Sequence, residues 1–104
     1  MYMVIRHGQV LPGKMEEAVR AVEEEGLWSV VSGVPGFVEY YFLEMGDVGF
    51  SISVFETQEA AEESTRKTMD FIRQHPAEKE IMTGPYEVVA KGEVRVHKVK
   101  QETR

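Results

Sequence analysis

Apolar and polar positions change period several times along the chain, and each change marks an element. Residues 3–10 alternate with a period of two: Met3, Ile5 and His7 point one way, Val4, Arg6 and Gly8 the other, as in a strand. Leu11-Pro12-Gly13-Lys14 breaks that run, and proline suits the start of a helix. Met15, Ala18, Val19 and Val22 then recur at helical spacing, with Glu16, Glu17, Arg20 and Glu23 on the wet side. Gly26 interrupts this pattern at about 1 kcal/mol relative to alanine. Leu27, Trp28, Val30 and Val31 follow, so the helix kinks or restarts there before Gly33 stops it.

Pro35-Gly36 is a turn signal that launches a second strand over 37–43. Strict alternation along it puts Phe37 and Tyr41 on one side and Val38, Tyr40 and Phe42 on the other. Glu44 to Gly49 is a hairpin connection with two glycines, and Phe50 to Phe55 is a third strand. Phe50, Ile52 and Val54 share one face of it, and Ser51, Ser53 and Phe55 the other. Small hydroxyls there leave room, for close packing or for a pocket. Thr57 caps the next helix, whose inner face carries Ala60, Ala61, Ser64, Thr68, Phe71, Ile72 and His75, and Pro76 bars its continuation. A loop around Met82-Thr83-Gly84-Pro85 leads to a last extended region at about 87–99.

The order β-α-β-β-α-β predicts an α+β ferredoxin-like protomer, a four-stranded antiparallel sheet with two helices on one face. It spans 1–104 as a single domain, with a core at about 3–98 and a polar tail at 99–104. The second strand is apolar on both faces, and two helices cover only one of them. A second sheet, most economically that of an identical chain, covers the other, so the pattern predicts a homodimer.

Composition narrows the chemistry. The 104 residues include no cysteine, which excludes disulfides, thiolate metal sites and a cysteine nucleophile. Twelve basic and 18 acidic residues give a net charge of −6, which repels phosphate backbones and disfavours nucleic acid as a partner. No apolar run approaches the ~20 residues of a membrane span, and the apolar start is too short for a secretory leader, so the expected location is cytoplasmic. The three histidines lack metal-ligand spacing, no G-x-S-x-G elbow occurs, and no glycine-rich loop cradles a phosphate. Neither a metal nor a cofactor is expected.

The side chains that remain as candidates each have two readings. His75 stands at a helix C-terminus, where it either caps the dipole or serves a pocket as acid or base. His7 faces either the helices and their pocket or the partner sheet; His97, near the chain end, carries little weight. Trp28 is a core or interface anchor, or a wall for a ligand. Of Tyr40 and Tyr41, one faces the core or interface and the other offers its hydroxyl to a ligand. Arg66 either orients a phenolate or pairs with Glu62 or Asp70 on its own helix.

Three stretches resemble the antibiotic biosynthesis monooxygenase-like family. They are Pro12-Gly13-Lys14 entering an Ala/Val-patterned helix, Pro35-Gly36-Phe37 opening the second strand, and Ser51-Ile52-Ser53-Val54-Phe55-Glu56-Thr57 running into Glu59-Ala60-Ala61. The segment from Tyr86 through His97 is similar to an uncharacterised subgroup within it. The resemblance covers about residues 3–98 and implies a dimeric α+β barrel with a pocket between sheet and helices in each protomer. In cofactor-free members that pocket holds a phenol or quinol, whose electron-rich anion itself reduces oxygen. Haem-degrading members use a late histidine in the second helix with an asparagine and a tryptophan. Here asparagine is absent and Trp28 belongs to the first helical region, so that branch does not match. The resemblance implies a cofactor-independent monooxygenase acting on a small phenolic or quinol-like compound. His75 is its catalytic candidate, and Trp28, Tyr41, Arg66 and His7 are its pocket candidates. The alternative is a non-catalytic module that binds a small apolar or aromatic ligand or serves dimerisation.

Overall fold

The computed structural model describes residues 1–24, 26–74, 81–83 and 86–100. Strand β1 (Tyr2–Gln9) leads to helices α1 (Met15–Glu24) and α2 (Leu27–Ser32), then strands β2 (Phe37–Met45) and β3 (Val48–Phe55), helix α3 (Gln58–Gln74) and strand β4 (Glu87–Glu93). The first helical region is therefore two helices, divided where Gly26 takes a φ of 114° that a side chain would resist. Thr57 caps α3, its Oγ1 accepting the Ala60 N–H at 3.1 Å.

The strands form one antiparallel sheet in the order β2-β3-β1-β4, with the helices on one face. This is the ferredoxin-like arrangement that the element order predicts. Alternation along β1 holds: Tyr2, Val4, Arg6 and Gly8 are buried toward the helices, whereas Met3, Ile5 and His7 lie on the outer face. Tyr2, Val4, Val31, Val34, Phe55, Ala60 and Ala61 pack into one apolar cluster, and Val10, Met15, Ala18, Ala21 and Ile81 into another.

Three local details depart from the strict pattern. The register of β2 against β3 shifts between Phe37 and Glu39, leaving Val38 unpaired in a bulge. The extra residue turns Phe37 onto the same face as Tyr40 and Phe42, so all three face the helices and Tyr41 faces away. The hairpin loop is shorter than expected, because β2 runs to Met45 and β3 begins at Val48; Gly46, at φ 59°, accommodates the tight turn. Finally, β4 ends at Glu93 rather than near 99. Its partner strand starts at Tyr2, opposite Glu93, and only one more bond, Val94 N–H to the Met1 carbonyl at 2.8 Å, extends the pairing.

Beyond Glu93 the chain turns across the outer face. His97 Nε2 lies 3.2 Å from Glu39 Oε1 on β2, although β2 and β4 are opposite edges of the sheet. Three strand spacings are about 14 Å, and four extended residues reach about 13 Å. The tail thus straps the row Met3–Val54–Glu39, which accounts for the burial of Val54 on a face without helices. The rest of that face is open: Tyr41, Leu43 and Met45 are 53%, 42% and 59% exposed.

Gly36 joins the two layers. Its φ is 93°, its carbonyl accepts the Glu56 N–H at 2.8 Å, and an added Cβ would lie 3.2 Å from Ala60 Cβ. Gly36→Ala is expected to destabilise the protein by about 1–3 kcal/mol, through backbone strain and pressure on the start of α3. Urea unfolding measures this; a change under about 0.5 kcal/mol would show that the turn relaxes freely.

Candidate functional site

The strand registers set out the inner face of the sheet in rows. One row reads Tyr40, Ser53, Val4, Lys91, and the next Phe42, Ser51, Arg6, Val88. In the following row Gly49 pairs directly with Gly8, so the two central strands are bare backbone there. Small hydroxyls therefore flank Arg6 where larger side chains would collide with it, and Arg6 lies between the two apolar clusters at 0% exposure.

The guanidinium is held by neutral groups. Its Nη2 donates to Ser64 Oγ at 2.8 Å and to Thr65 Oγ1 at 2.6 Å, and its Nη1 to Ser53 Oγ at 3.4 Å. Ser64 and Thr65 also donate to the Ala61 carbonyl, which aims their lone pairs at the arginine. Among the described residues Nε of Arg6 has no hydrogen-bond partner, and neither has Thr68 Oγ1, also directed into this layer. Among the described residues no carboxylate pairs with Arg6. Burial lowers its pKa, with Tyr86 and Tyr40 beside it acting the other way; an arginine nonetheless stays protonated. Among the described residues, the site is a buried positive charge without a counterion.

Two phenols adjoin that charge. The Tyr86 hydroxyl is hydrogen-bonded to Ser51 Oγ, and although part of the residue stays accessible, this end is enclosed. Burial pushes the pKa of Tyr86 up, against the weaker pull of Ser51 and Arg6. Tyr40 is raised too, by burial first and by Tyr86 next. Both are neutral at physiological pH and act as donors rather than bases.

Two cavities lie beside this polar centre. An open cleft of about 520 Å³ runs between α1, α2 and the edge strand β2, lined by Val19, Val22, Trp28, Tyr40 and Phe42, with the carboxylates Glu23 and Glu44 also on its wall. Further in, a cavity of about 40 Å³ is bounded by Gly8, Gly49, Phe42, Tyr86 and apolar residues of the helices. The cleft admits an aromatic ring; the inner cavity has room only for water. Val22 and Phe42 line both.

The sequence candidates scatter across this structure. Trp28 lines the cleft, 41% exposed, its ring 5.5 Å from Phe37 and 5.8 Å from Tyr40. Tyr40, not Tyr41, is the tyrosine of the cleft; Tyr41 lies on the opposite face and donates to Glu39 at 2.9 Å. Arg66 pairs with Glu63 on the outside of α3 and borders a separate shallow groove with Lys91. His7 is on the outer face beside Phe50, ring centroids 5.8 Å apart. His75 lies outside the described residues. Sequence reasoning passed over Arg6, although an arginine in the Val4, Gly8, Val10 row of a central strand is a signal, since that row must be buried. It also passed over Tyr86, which stands outside every periodic segment.

Among the described residues no three histidine or acidic side chains are grouped to hold a metal ion, and no helix is long and apolar enough to cross a membrane. No protein-family model and no curated protein matches the chain. Solved structures do. A monooxygenase of Streptomyces coelicolor in complex with nanaomycin D superposes with a TM-score of 0.73 at 15% identity, over 96% of this chain and 92% of that one. A variant of MhuD with two manganese protoporphyrin IX molecules per active site gives 0.74 at 17% identity, over 96% and 100%. A candidate antibiotic biosynthesis monooxygenase of Nitrosomonas europaea gives 0.69 at 16%, over 92% and 100%. The fold is that of the antibiotic biosynthesis monooxygenase-like proteins.

A buried charge held, among the described residues, only by hydroxyls opposes folding. Arg6→Met keeps most of the volume and removes the charge, and Ser64 and Thr65 retain their bonds to Ala61. The variant is expected to be more stable by about 1–3 kcal/mol. Denaturant unfolding tests this; a loss of more than about 2 kcal/mol would mean the hydroxyl shell fully compensates the cation.

Proposed function

We propose that this protein binds a small aromatic compound with an ionisable hydroxyl, a phenol or quinol, and oxidises it with molecular oxygen without a cofactor. The observation that carries this is the charge of Arg6, buried without a carboxylate partner among the described residues and beside Tyr40, which lines an aromatic-walled cleft. A phenolate supplies the missing counter-charge, and in a water-poor layer that attraction strongly favours ionisation of the bound ligand. Glu23 and Glu44 on the cleft wall repel anions, so the compound enters neutral and loses its proton inside, to water at the mouth. The two relatives in fold solved with nanaomycin D and with manganese protoporphyrin IX support a ring compound as occupant.

The chemistry then belongs to the bound anion. It gives one electron to oxygen, the resulting radical and superoxide combine into a peroxide, and loss of water leaves a carbonyl. A ring C–H and its hydroxyl thus become a quinone, with one O₂ consumed and one H₂O released. The chain's residues hold the anion and exclude water: Arg6 by charge, Ser53, Ser64 and Thr65 by fixing the guanidinium, Trp28, Tyr40 and Phe42 by walling the ring. Oxygen uptake with a panel of quinols and hydroxylated fused-ring compounds tests the reading. The expected result is uptake well above buffer that falls about 10²-fold or more in Arg6→Met. Uptake equal to buffer throughout would overturn the oxidative step.

A second reading rests on a specific observation: among the described residues no histidine or carboxylate contacts Arg6 or the inner cavity to act as base. On that reading the same site binds a phenolate without turning it over. Ligand binding without oxygen uptake distinguishes it.

The exposed apolar side chains of the outer face support a homodimer formed sheet to sheet. Tyr41, Leu43 and Met45 stand beside the half-buried Phe50 and Ile52, a patch too apolar to face water in a stable monomer. Sedimentation at micromolar concentration is expected to give twice 11.9 kDa, and Leu43→Lys with Met45→Lys to give the monomer. A monomeric parent protein would rule the dimer out.

A further inference from the structure

We propose that Tyr86 is a built-in occupant of the anion site: it holds the place that the ring and hydroxyl of a phenolic ligand take on binding, and the ligand displaces it. This rests on the reading of Arg6 as the receptor for a phenolate. Four observations converge on it.

First, the sheet gives up two side chains to make this place. Gly8 and Gly49 face each other on a strand pair, where glycine weakens a sheet. A Cβ on Gly8 would lie 2.9 Å from Tyr86 Cδ2 and 3.0 Å from Met82 Sδ, and one on Gly49 would lie 2.6 Å from Phe42 Cζ. Two aromatic rings therefore rest on bare backbone, the close approach that glycine permits and no other residue does.

Second, the polar end of this place is the anion site. The Tyr86 hydroxyl bonds to Ser51, which is directly opposite Arg6 in the β1–β3 register. A phenol is what these groups already hold.

Third, Tyr86 serves the charge poorly. A phenol that stays neutral offers Arg6 a dipole and leaves Nε without a partner among the described residues. A ligand of similar shape buries similar apolar area, so burial nearly cancels in the exchange. What remains is acidity: a phenol more acidic than tyrosine ionises beside Arg6 and supplies a full counter-charge.

Fourth, the way in is short. Tyr86 precedes the first residue of β4 and lies outside its ladder, so moving its ring breaks no strand bond. Val22 and Phe42 line both the inner cavity and the open cleft, so these two side chains form the partition between them. A ligand that displaces Tyr86 and turns Phe42 aside joins the two spaces. Its phenolic ring then lies over the glycines, and its remaining body lies in the cleft against Trp28 and Tyr40. The class of ligand is an acidic phenol extended para to the hydroxyl, by a substituent or a fused ring.

The test titrates para-nitrophenol, whose phenolate absorbs in the visible, into the parent protein, Tyr86→Ala, Tyr86→Phe and Arg6→Met. Para-nitrotoluene, of the same shape without the hydroxyl, is the control. Removing the occupant is expected to tighten phenolate binding about tenfold in Tyr86→Ala. Tyr86→Phe keeps the ring, loses the Ser51 bond and is expected to fall between the two, which guards against a folding failure of the alanine variant. Arg6→Met is expected to lose phenolate binding, and para-nitrotoluene to bind weakly throughout. Equal or weaker binding in both Tyr86 variants, with Arg6→Met still abolishing it, would overturn the displacement and leave the anion site standing. No phenolate signal in the parent or either Tyr86 variant would overturn both. Binding in Tyr86→Ala alone would support both, with Tyr86 as a stronger block.

Discussion

A guanidinium has been taken out of water between a sheet and three helices, with no carboxylate among the described residues to neutralise it. That single burial constrains most of what surrounds it. The strand next to β1 must carry serine at the two positions flanking Arg6, and α3 must turn Ser64 and Thr65 toward the same point. Even the two apolar clusters are separate because this polar centre lies between them. A purely structural arginine at this depth would normally be paired. Here, among the described residues, the charge meets only hydroxyls and phenols, one of which, Tyr40, also walls an aromatic cleft.

The cleft depends on one irregularity of the backbone. Without the bulge at Val38, Phe37 would face away from Tyr40 and Phe42, and Trp28 would lose the edge-on contact that holds it at the cleft wall. The bulge sits on an edge strand, where an extra residue disturbs only one ladder. Its effect is to gather four aromatic residues on one side of β2 and leave Tyr41, Leu43 and Met45 on the other. The two sides of the same strand thereby differ in surroundings, one walling the cleft and the other presenting an exposed apolar surface.

The C-terminal tail shares that outer face without covering it. By reaching Glu39 through His97 it screens one end of the sheet and leaves the centre and the β2–β3 hairpin open. Solved structures of the same fold match 86–97% of this chain at 12–17% identity, so the arrangement of layers is shared while most of the residues are not. Shared layers do not transfer an activity, and the chemistry of this site rests on its own side chains.

Much of the architecture was legible from the chain alone. Period-two and helical spacing, the Pro-Gly turn at 35–36, the Thr57 cap and the order of elements lead to the ferredoxin-like sheet, because each is a local property that survives in any tertiary setting. The paired faces of β1 were legible for the same reason. The site was not. Arg6 read as an ordinary alternating residue, since only the packing of α3 shows that its side chain finds hydroxyls and no acid. Tyr40 exchanged roles with the expected Tyr41 because a register shift cannot be read from composition. Arg66, read either as a phenolate's partner or as pairing with Glu62 or Asp70 on its own helix, pairs with Glu63 one turn away. Tyr86 had no pattern to belong to, and its place over Gly8 exists only once two strands distant in the chain are side by side. Local periodicity determines which elements form and which faces they bury, whereas the encounter of a buried charge with its neighbours is a long-range event, decided only when the layers close.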